Sequence, residues 1–388
     1  MFIQQKKSYS WLISFLFLGL MPLKSIAETE SCGVDQCVIV IDSGSTGSRA
    51  HLYRYSNKDN QPSVIELKHR ENSPGLAKIG LDNKLMDKYL NELMLGLEQR
   101  VAVPVYVYST AGMRLVDKTA QTSIYNNVQS WFAGHQSFQL IEAKTISGKD
   151  EGLFGWAAVN YLSGTFNGTN NQRIGVMDFG GASIQVAFPI KDIANAVDKS
   201  SVTKLKIAGK KYLVYAHSFL GMGINEVTRQ LIMDEKCFAK SYPMPDGVVG
   251  NGDNVQCEMD VEILSNNLHK VNQIKDENII DKADKWVALG ALSYLAKSKP
   301  FQSLHSPFII KKVYQLGQSG VCQMNWAELQ ARNPNDKYLY STCLASAYYY
   351  AVAVQGYGLN ESTKIYTELD NKDQSIDWTY GVVLLKKM

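Results

Sequence analysis

The chain has 388 residues, with 40 Lys and Arg against 37 Asp and Glu, and 45% of its residues are hydrophobic. That balance excludes a disordered, collagen-like or coiled-coil chain. The length allows about two or three domains with cores of their own.

The first 27 residues differ from the rest. Lys6 and Lys7 form a basic start, Trp11 to Leu20 is a largely apolar run, and Ser25-Ile26-Ala27 ends in small residues. This is the order of a secretory signal peptide with cleavage expected after Ala27, and the run is short of the ~20 residues a spanning helix needs. The segment holds Lys6, Lys7 and Lys24 and no acid, so the mature chain carries 37 bases against 37 acids. No later stretch is apolar enough to span a bilayer, and no run of Lys and Arg resembles a nucleic-acid footprint. The expectation is an exported monomer (secreted or periplasmic), with no integral membrane anchor in the mature form and no nucleic-acid partner.

All six cysteines, Cys32, Cys37, Cys237, Cys257, Cys322 and Cys343, lie beyond that segment. An even number in an exported chain implies disulfides. Short-range pairing gives Cys32–Cys37, Cys237–Cys257 and Cys322–Cys343; free buried thiols are the alternative.

Along the chain, apolar strand-like runs alternate with helical periodicity, which predicts an α/β architecture. Cys37 to Ile41 reads as a buried strand leading into Asp42, and Ala50 to Tyr55 as the next. Leu85, Tyr89, Leu93 and Leu97 mark a helix; Val103 to Tyr108 is a strand; Ile124, Val128, Trp131 and Phe132 mark a second helix, and Glu151 to Leu162 a third. Ile174 to Phe179 and Ile184 to Phe188 then repeat the opening theme of strand, Asp, Gly-rich turn and strand, with Asp178 in the place of Asp42. The repeat implies a duplicated pair of α/β lobes, each presenting one Asp-bearing hairpin. Further on, Ile224 to Met233, Ala283 to Leu295 and Thr342 to Val354 are predicted helices, Ser241 to Asn254 a loop, and Val382 to Leu385 a short strand or helical turn.

Asp42-Ser43-Gly44-Ser45-Thr46-Gly47-Ser48-Arg49 concentrates backbone and hydroxyl donors in one turn, and Gly180-Gly181-Ala182-Ser183 does the same in the second hairpin. Gly permits close backbone approach, and such concavities of donors suit phosphate oxygens. Facing each other, the two turns would grip one polyphosphate, and Asp42 and Asp178 could hold Mg²⁺ or Ca²⁺, mostly through water, since these ions favour oxygen ligands. The sequence has no GxxxxGK[ST] loop.

Five motifs in order, DSGSTGSR, STAGMR (Ser109 to Arg114), SGKDEGLFGWAAVNYL (Ser147 to Leu162), DFGGASIQ and SFLGMG (Ser218 to Gly223), resemble the apyrase conserved regions of the GDA1/CD39 nucleoside triphosphate diphosphohydrolase family. The likeness is dense over 38–223, weaker at Ser346 to Tyr350 and at Trp378 to Gly381, and fits the soluble bacterial members best. Phe154, Phe179 and Ile184 are conservative departures from the family pattern.

The resemblance implies a fold of two RNase H-like lobes of the actin/hexokinase/Hsp70 superfamily with an active-site cleft between them. The expected lobes are 28–147 plus 369–388 and 148–368. The implied activity is hydrolysis of nucleoside tri- and diphosphates to the monophosphate with Mg²⁺ or Ca²⁺. In the implied site Glu151 is the base, while Ser183 and Gln185 position the water. Asp42, Asp178, Thr110, Glu151 and Trp378 serve the metal, mostly through water. Ser43, Gly44, Ser45, Thr46, Gly47, Ser48, Arg49, Gly180, Gly181, Ala182 and Ser183 form the phosphate cradle. Arg114 either touches ligand or holds the lobe. Tyr350 and Tyr349 either stack on the nucleobase or pack helix against lobe. The alternative activity is that of an exopolyphosphatase or guanosine pentaphosphatase; a non-catalytic nucleotide-binding protein is a third reading.

Overall fold

The computed structural model describes residue 32, residues 36–369 and residues 376–388. The signal-peptide reading of residues 1–27 lies outside the described residues.

The first sheet contains β1 (Cys37–Ser43), β2 (Ser48–Lys58), β3 (Gln61–Asn72), β4 (Val103–Ser109) and β5 (Phe138–Thr145), in the order β3-β2-β1-β4-β5. The second contains β6 (Ile174–Phe179), β7 (Ser183–Ile190), β8 (Val202–Ile207), β9 (Lys210–Leu220), β10 (Lys285–Gly290), β11 (Phe308–Ile309) and β12 (Lys364–Tyr366), in the order β11-β12-β10-β6-β7-β9-β8. Each sheet joins an antiparallel meander to a parallel half: β1 pairs antiparallel with β2 and parallel with β4, and β6 does the same with β7 and β10. The repeat read from two Asp-Gly hairpins therefore extends to the order of whole sheets.

Helix Gly148–Leu162 follows β5 but packs on β6, β7 and β9, while the C-terminal helix Thr379–Lys387 follows β12 and packs on β1. The two helices also pack on each other, at a point where a Cβ on Gly381 would fall onto the Phe154 carbonyl. One apolar cluster runs through this junction, from Val38, Val40 and Tyr53 across Phe154 and Trp156 to Val176 and Tyr380. Ser147 starts the first helix by accepting from the Asp150 amide, an N-cap that places Glu151 in the first turn.

The three short-range disulfides form as expected: Cys32–Cys37, Cys237–Cys257 and Cys322–Cys343. Among the described residues, no helix is long and apolar enough to cross a membrane.

Several elements differ from the sequence reading. Ala283 to Leu295 is strand β10 followed by helix Ala291–Lys297, joined at Gly290 with φ +69°. Trp286 to Leu289 are buried between parallel neighbours, and a continuous apolar run of that kind has no period to separate strand from helix. Strands β3 and β5 were not expected: both lie at a sheet edge with polar, partly exposed sequences. Val382 to Leu385 belong to the C-terminal helix.

Candidate active site

The ends of β1 and β6 bring the two hairpins together. In the first, Asp42 pairs across the strands with Arg49, and Ser43 with Ser48. The turn between them is closed by the Gly44 amide donating to the Gly47 carbonyl at 2.9 Å. Gly75 and Gly112 press on this turn so closely that a Cβ on Gly112 would lie 2.7 Å from the Ser45 Cα. In the second hairpin, the Gly180 amide donates to the Ser183 carbonyl at 3.0 Å, and the Asn225 amide to the Gly181 carbonyl at 2.9 Å. A Cβ on Gly181 would lie 2.5 Å from Ser45 Oγ, so the two turns face each other at contact.

Not every member of the expected cradle is open. Ser43 and Ser48 are buried, with the Ser48 hydroxyl donating to Ser43 Oγ at 3.3 Å, and Ala182 is buried as well. The first turn presents Gly44 to Gly47, with Thr46 the most open.

Glu151, Ser183 and Gln185 meet as the motifs imply. Gln185 Nε2 lies 3.1 Å from Glu151 Oε2, 2.7 Å from Ser183 Oγ and 3.0 Å from Ser218 Oγ. Gln185 Oε1 is buried without a partner. Arg114 belongs to the same cluster: its Nη2 pairs with Glu151 Oε2 and lies 3.4 Å from Ser183 Oγ, and its Nη1 lies 3.5 Å from Ser218 Oγ. Arg114 thus lies beside Glu151, Ser183 and Ser218. Ser218 stands in the fifth motif without an assigned role, yet β9 sets it directly opposite Gln185. The alternation of side chains along paired strands was the signal that could have found it.

Asp42 and Asp178 are joined by Asp377, which the sequence reading missed because it is a lone acid outside every hydroxyl- or Gly-rich turn. Burial and the charge of Asp377 push both Asp42 and Asp178 up to about 7, with Arg49 opposing. Asp377 itself is drawn below the usual carboxylate range: burial is overcome by His51, by the Thr379 amide and hydroxyl, and by Arg49. His51 bridges Asp377 (Nε2 to Oδ2, 3.5 Å) and Glu66 (Nδ1 to Oε1, 2.8 Å). Burial pushes Glu151 up to about 8, against the pull of Arg114 and with the help of Asp178 and Asp42. Asp42, Asp178, Asp377 and Glu151 thus act on one another through their charges, and Asp42 Oδ1 has no hydrogen-bond partner.

Thr110 is buried at the end of β4, its amide donating to the Ser43 carbonyl at 3.0 Å. Trp378 is buried next to Asp377, its ring stacked on Phe154 with centroids 6.0 Å apart. The two tyrosines separate. Tyr349 is a correction: it is in the core, its ring edge-on to Phe179 at 5.1 Å, with no open face for a base. Tyr350 is partly open, stacked on Tyr314 at 4.8 Å, and its hydroxyl donates to Glu361 at 3.3 Å.

Two α/β sheets of matching strand order thus bring two Gly-rich hairpins together beside an acidic centre, an arrangement suited to a phosphate-bearing ligand. The chain belongs to the GDA1/CD39 (nucleoside phosphatase) family, whose model matches residues 29–285 and 248–388. It is 33% identical over 220 residues to a guanosine-diphosphatase of Schizosaccharomyces pombe, a match covering 54% of this chain and 39% of that protein. It is 24% identical over 413 residues to the human ectonucleoside triphosphate diphosphohydrolase 3, covering 89% of this chain and 77% of the relative. In fold it is similar to a nucleoside triphosphate hydrolase of Neospora caninum (TM-score 0.63, 15% identity, 90% of this chain and 92% of that one). It is also similar to a Ppx/GppA family member of Aquifex aeolicus (TM-score 0.53, 16% identity, 90% and 96%).

Proposed function

We propose that this chain is an exported apyrase, which hydrolyses nucleoside tri- and diphosphates to the monophosphate and orthophosphate. The observation that carries the reading is the buried set of Glu151, Ser183 and Gln185 beside two facing Gly-rich turns. Gln185 Oε1 is an acceptor without a partner, while Gln185 Nε2 donates to Ser183 Oγ and to the Glu151 carboxylate. A water held by Ser183 and Gln185 would give its proton to Glu151 as it attacks the terminal phosphorus. Phosphoryl transfer asks little covalent work of a protein, so alignment of that water and stabilisation of charge supply most of the rate. A positioned base contributes roughly 10²–10⁴-fold. The amides of Gly44 to Gly47 and Gly180 to Ala182, with Arg49, would meet the phosphate oxygens.

The acidic centre fits a divalent cation, Mg²⁺ or Ca²⁺. Asp42 and Asp178 are raised by burial and by the charge of Asp377, and Asp42 Oδ1 lacks any partner. Asp42, Asp178, Thr110, Trp378 and, at greater reach, Glu151 would hold the ion. They would do so mostly through water, because among the described residues no three His, Cys, Asp or Glu are grouped to ligate one ion directly. When bound, it neutralises oxygens of the polyphosphate. Export is supported by the order of the first 27 residues and by three disulfides. Tyr350 is the remaining candidate for stacking on the base, which would make base use broad.

A time course of ATP, ADP and AMP on the purified chain tests the reading, with Mg²⁺, with Ca²⁺ and with EDTA. Both ATP and ADP are expected to end as AMP when a metal is present. Consumption of polyphosphate without conversion of nucleotide would replace the apyrase reading with the exopolyphosphatase one.

A further inference from the structure

Gln185 Nε2 faces more oxygens than it has hydrogens. Ser183 Oγ lies 2.7 Å away, Ser218 Oγ 3.0 Å and Glu151 Oε2 3.1 Å. A carboxamide nitrogen donates two hydrogens, and its oxygen only accepts. At any moment one of the three oxygens goes without. Two of them belong to the proposed reaction: Glu151 takes the proton, and Ser183 helps to hold the water. Ser218 takes part in neither step.

The backbone puts Ser218 within reach of the amide. β7 and β9 are antiparallel, with Ser218 directly opposite Gln185. Side chains paired in this way stand on one face of the sheet, with Cβ atoms about 5 Å apart. Arg114 approaches the same hydroxyl, its Nη1 3.5 Å from Ser218 Oγ. A guanidinium can only donate, so Ser218 Oγ accepts from Arg114 and keeps its second lone pair for Nε2. Gly148 packs against both groups. A Cβ there would lie 2.2 Å from Ser218 Oγ and 2.5 Å from Arg114 Nη1, so a larger residue would displace the hydroxyl.

We propose that Ser218 is a positioning residue for the hydrolysis: it holds Gln185 Nε2 and so keeps Gln185 Oε1 turned to the attacking water. The inference rests on the phosphohydrolase reading. Before the attack, the Glu151 carboxylate and the Ser218 hydroxyl both draw Nε2. A charged acceptor makes roughly twice as strong a bond as a neutral one. Once Glu151 has taken the proton, that advantage is gone. An amide held by Glu151 alone is then free to turn over, which would present a donor where the water needs an acceptor. Ser218 prevents the turn because its own protonation does not change during the reaction.

The test is a double-mutant cycle of Ser218→Ala, Gln185→Ala and the two together, read as phosphate release from ATP and from polyphosphate. The substrate that the wild-type chain cleaves decides between the apyrase and exopolyphosphatase readings; the cycle on that substrate decides this inference. Ser218→Ala should lower kcat about five- to tenfold, the worth of one neutral hydrogen bond. KM should stay within about twofold, since the hydroxyl is not part of the phosphate cradle. In the Gln185→Ala background the same substitution should change kcat less than about twofold, because no amide remains to be held. A purely structural role would instead cost activity equally with or without that amide. Unchanged kcat in Ser218→Ala, or losses that multiply in the double variant, would overturn the inference. A wild-type chain that cleaves neither substrate would overturn it together with the phosphohydrolase reading.

Discussion

Glu151 is held between opposing influences. Burial and the nearby Asp178 and Asp42 charges favour its protonated form, and the Arg114 guanidinium favours the carboxylate that the proposed mechanism requires. Arg114→Met removes the favourable partner and leaves the desolvation in place. Its expected effect is a fall in kcat at neutral pH, with the rising limb of the pH–rate profile displaced to higher pH, because a base whose pKa rises is ionised only at higher pH. An unshifted limb would show that Arg114 supports the lobe without tuning the base. Arg114 and Glu151 stand in two motifs 37 positions apart, and nothing local to either motif says that they touch. Glu151, Ser183 and Gln185 were legible because their motifs carry polar groups at strand and helix ends. Asp377 was not legible, since a single acid becomes part of a centre only when the C-terminal helix folds back onto β1.

At the scale of elements, the contact between helix Gly148–Leu162 and the C-terminal helix positions both Glu151 and Trp378. Gly381 sits where a Cβ would meet the Phe154 backbone. Gly381→Ala must push the helices apart, and overpacking of this kind costs about 1–3 kcal/mol. Urea unfolding should show that loss, and kcat should fall with it; unchanged stability would mean that the helices are free to slide. The hairpins were readable because a strand ending in Asp and a Gly-rich turn is a compact local signal. Strand β10 was not, because burial on both faces erases the alternation that marks a strand. The paired sheet orders could not be read at all from local pattern, as they depend on strands far apart in sequence.

For the whole molecule, the neutral balance of the chain beyond residue 27 conceals a local excess of acid at its centre. Asp42 and Asp178 at about 7 and Glu151 at about 8 stand above their unfolded values, so between about pH 4 and 8 the folded state holds protons that the unfolded state has released. These groups favour the folded state at low pH, and that contribution is lost as pH rises through their folded pKa values. A divalent cation competes with those protons. The rise in Tm caused by Mg²⁺ or Ca²⁺ should therefore be larger at pH 8 than at pH 5. Equal rises at both pH values would place the ion away from these carboxylates.

The most direct test of the proposed chemistry is phosphate release by Glu151→Gln, measured with ATP and with ADP beside nucleotide binding by calorimetry. The substitution keeps the size of the side chain and removes the base. Binding should persist within a few-fold, while phosphate release falls by roughly 10²–10⁴-fold. Full phosphate release by that variant would contradict the assignment of Glu151 as the group that takes the proton.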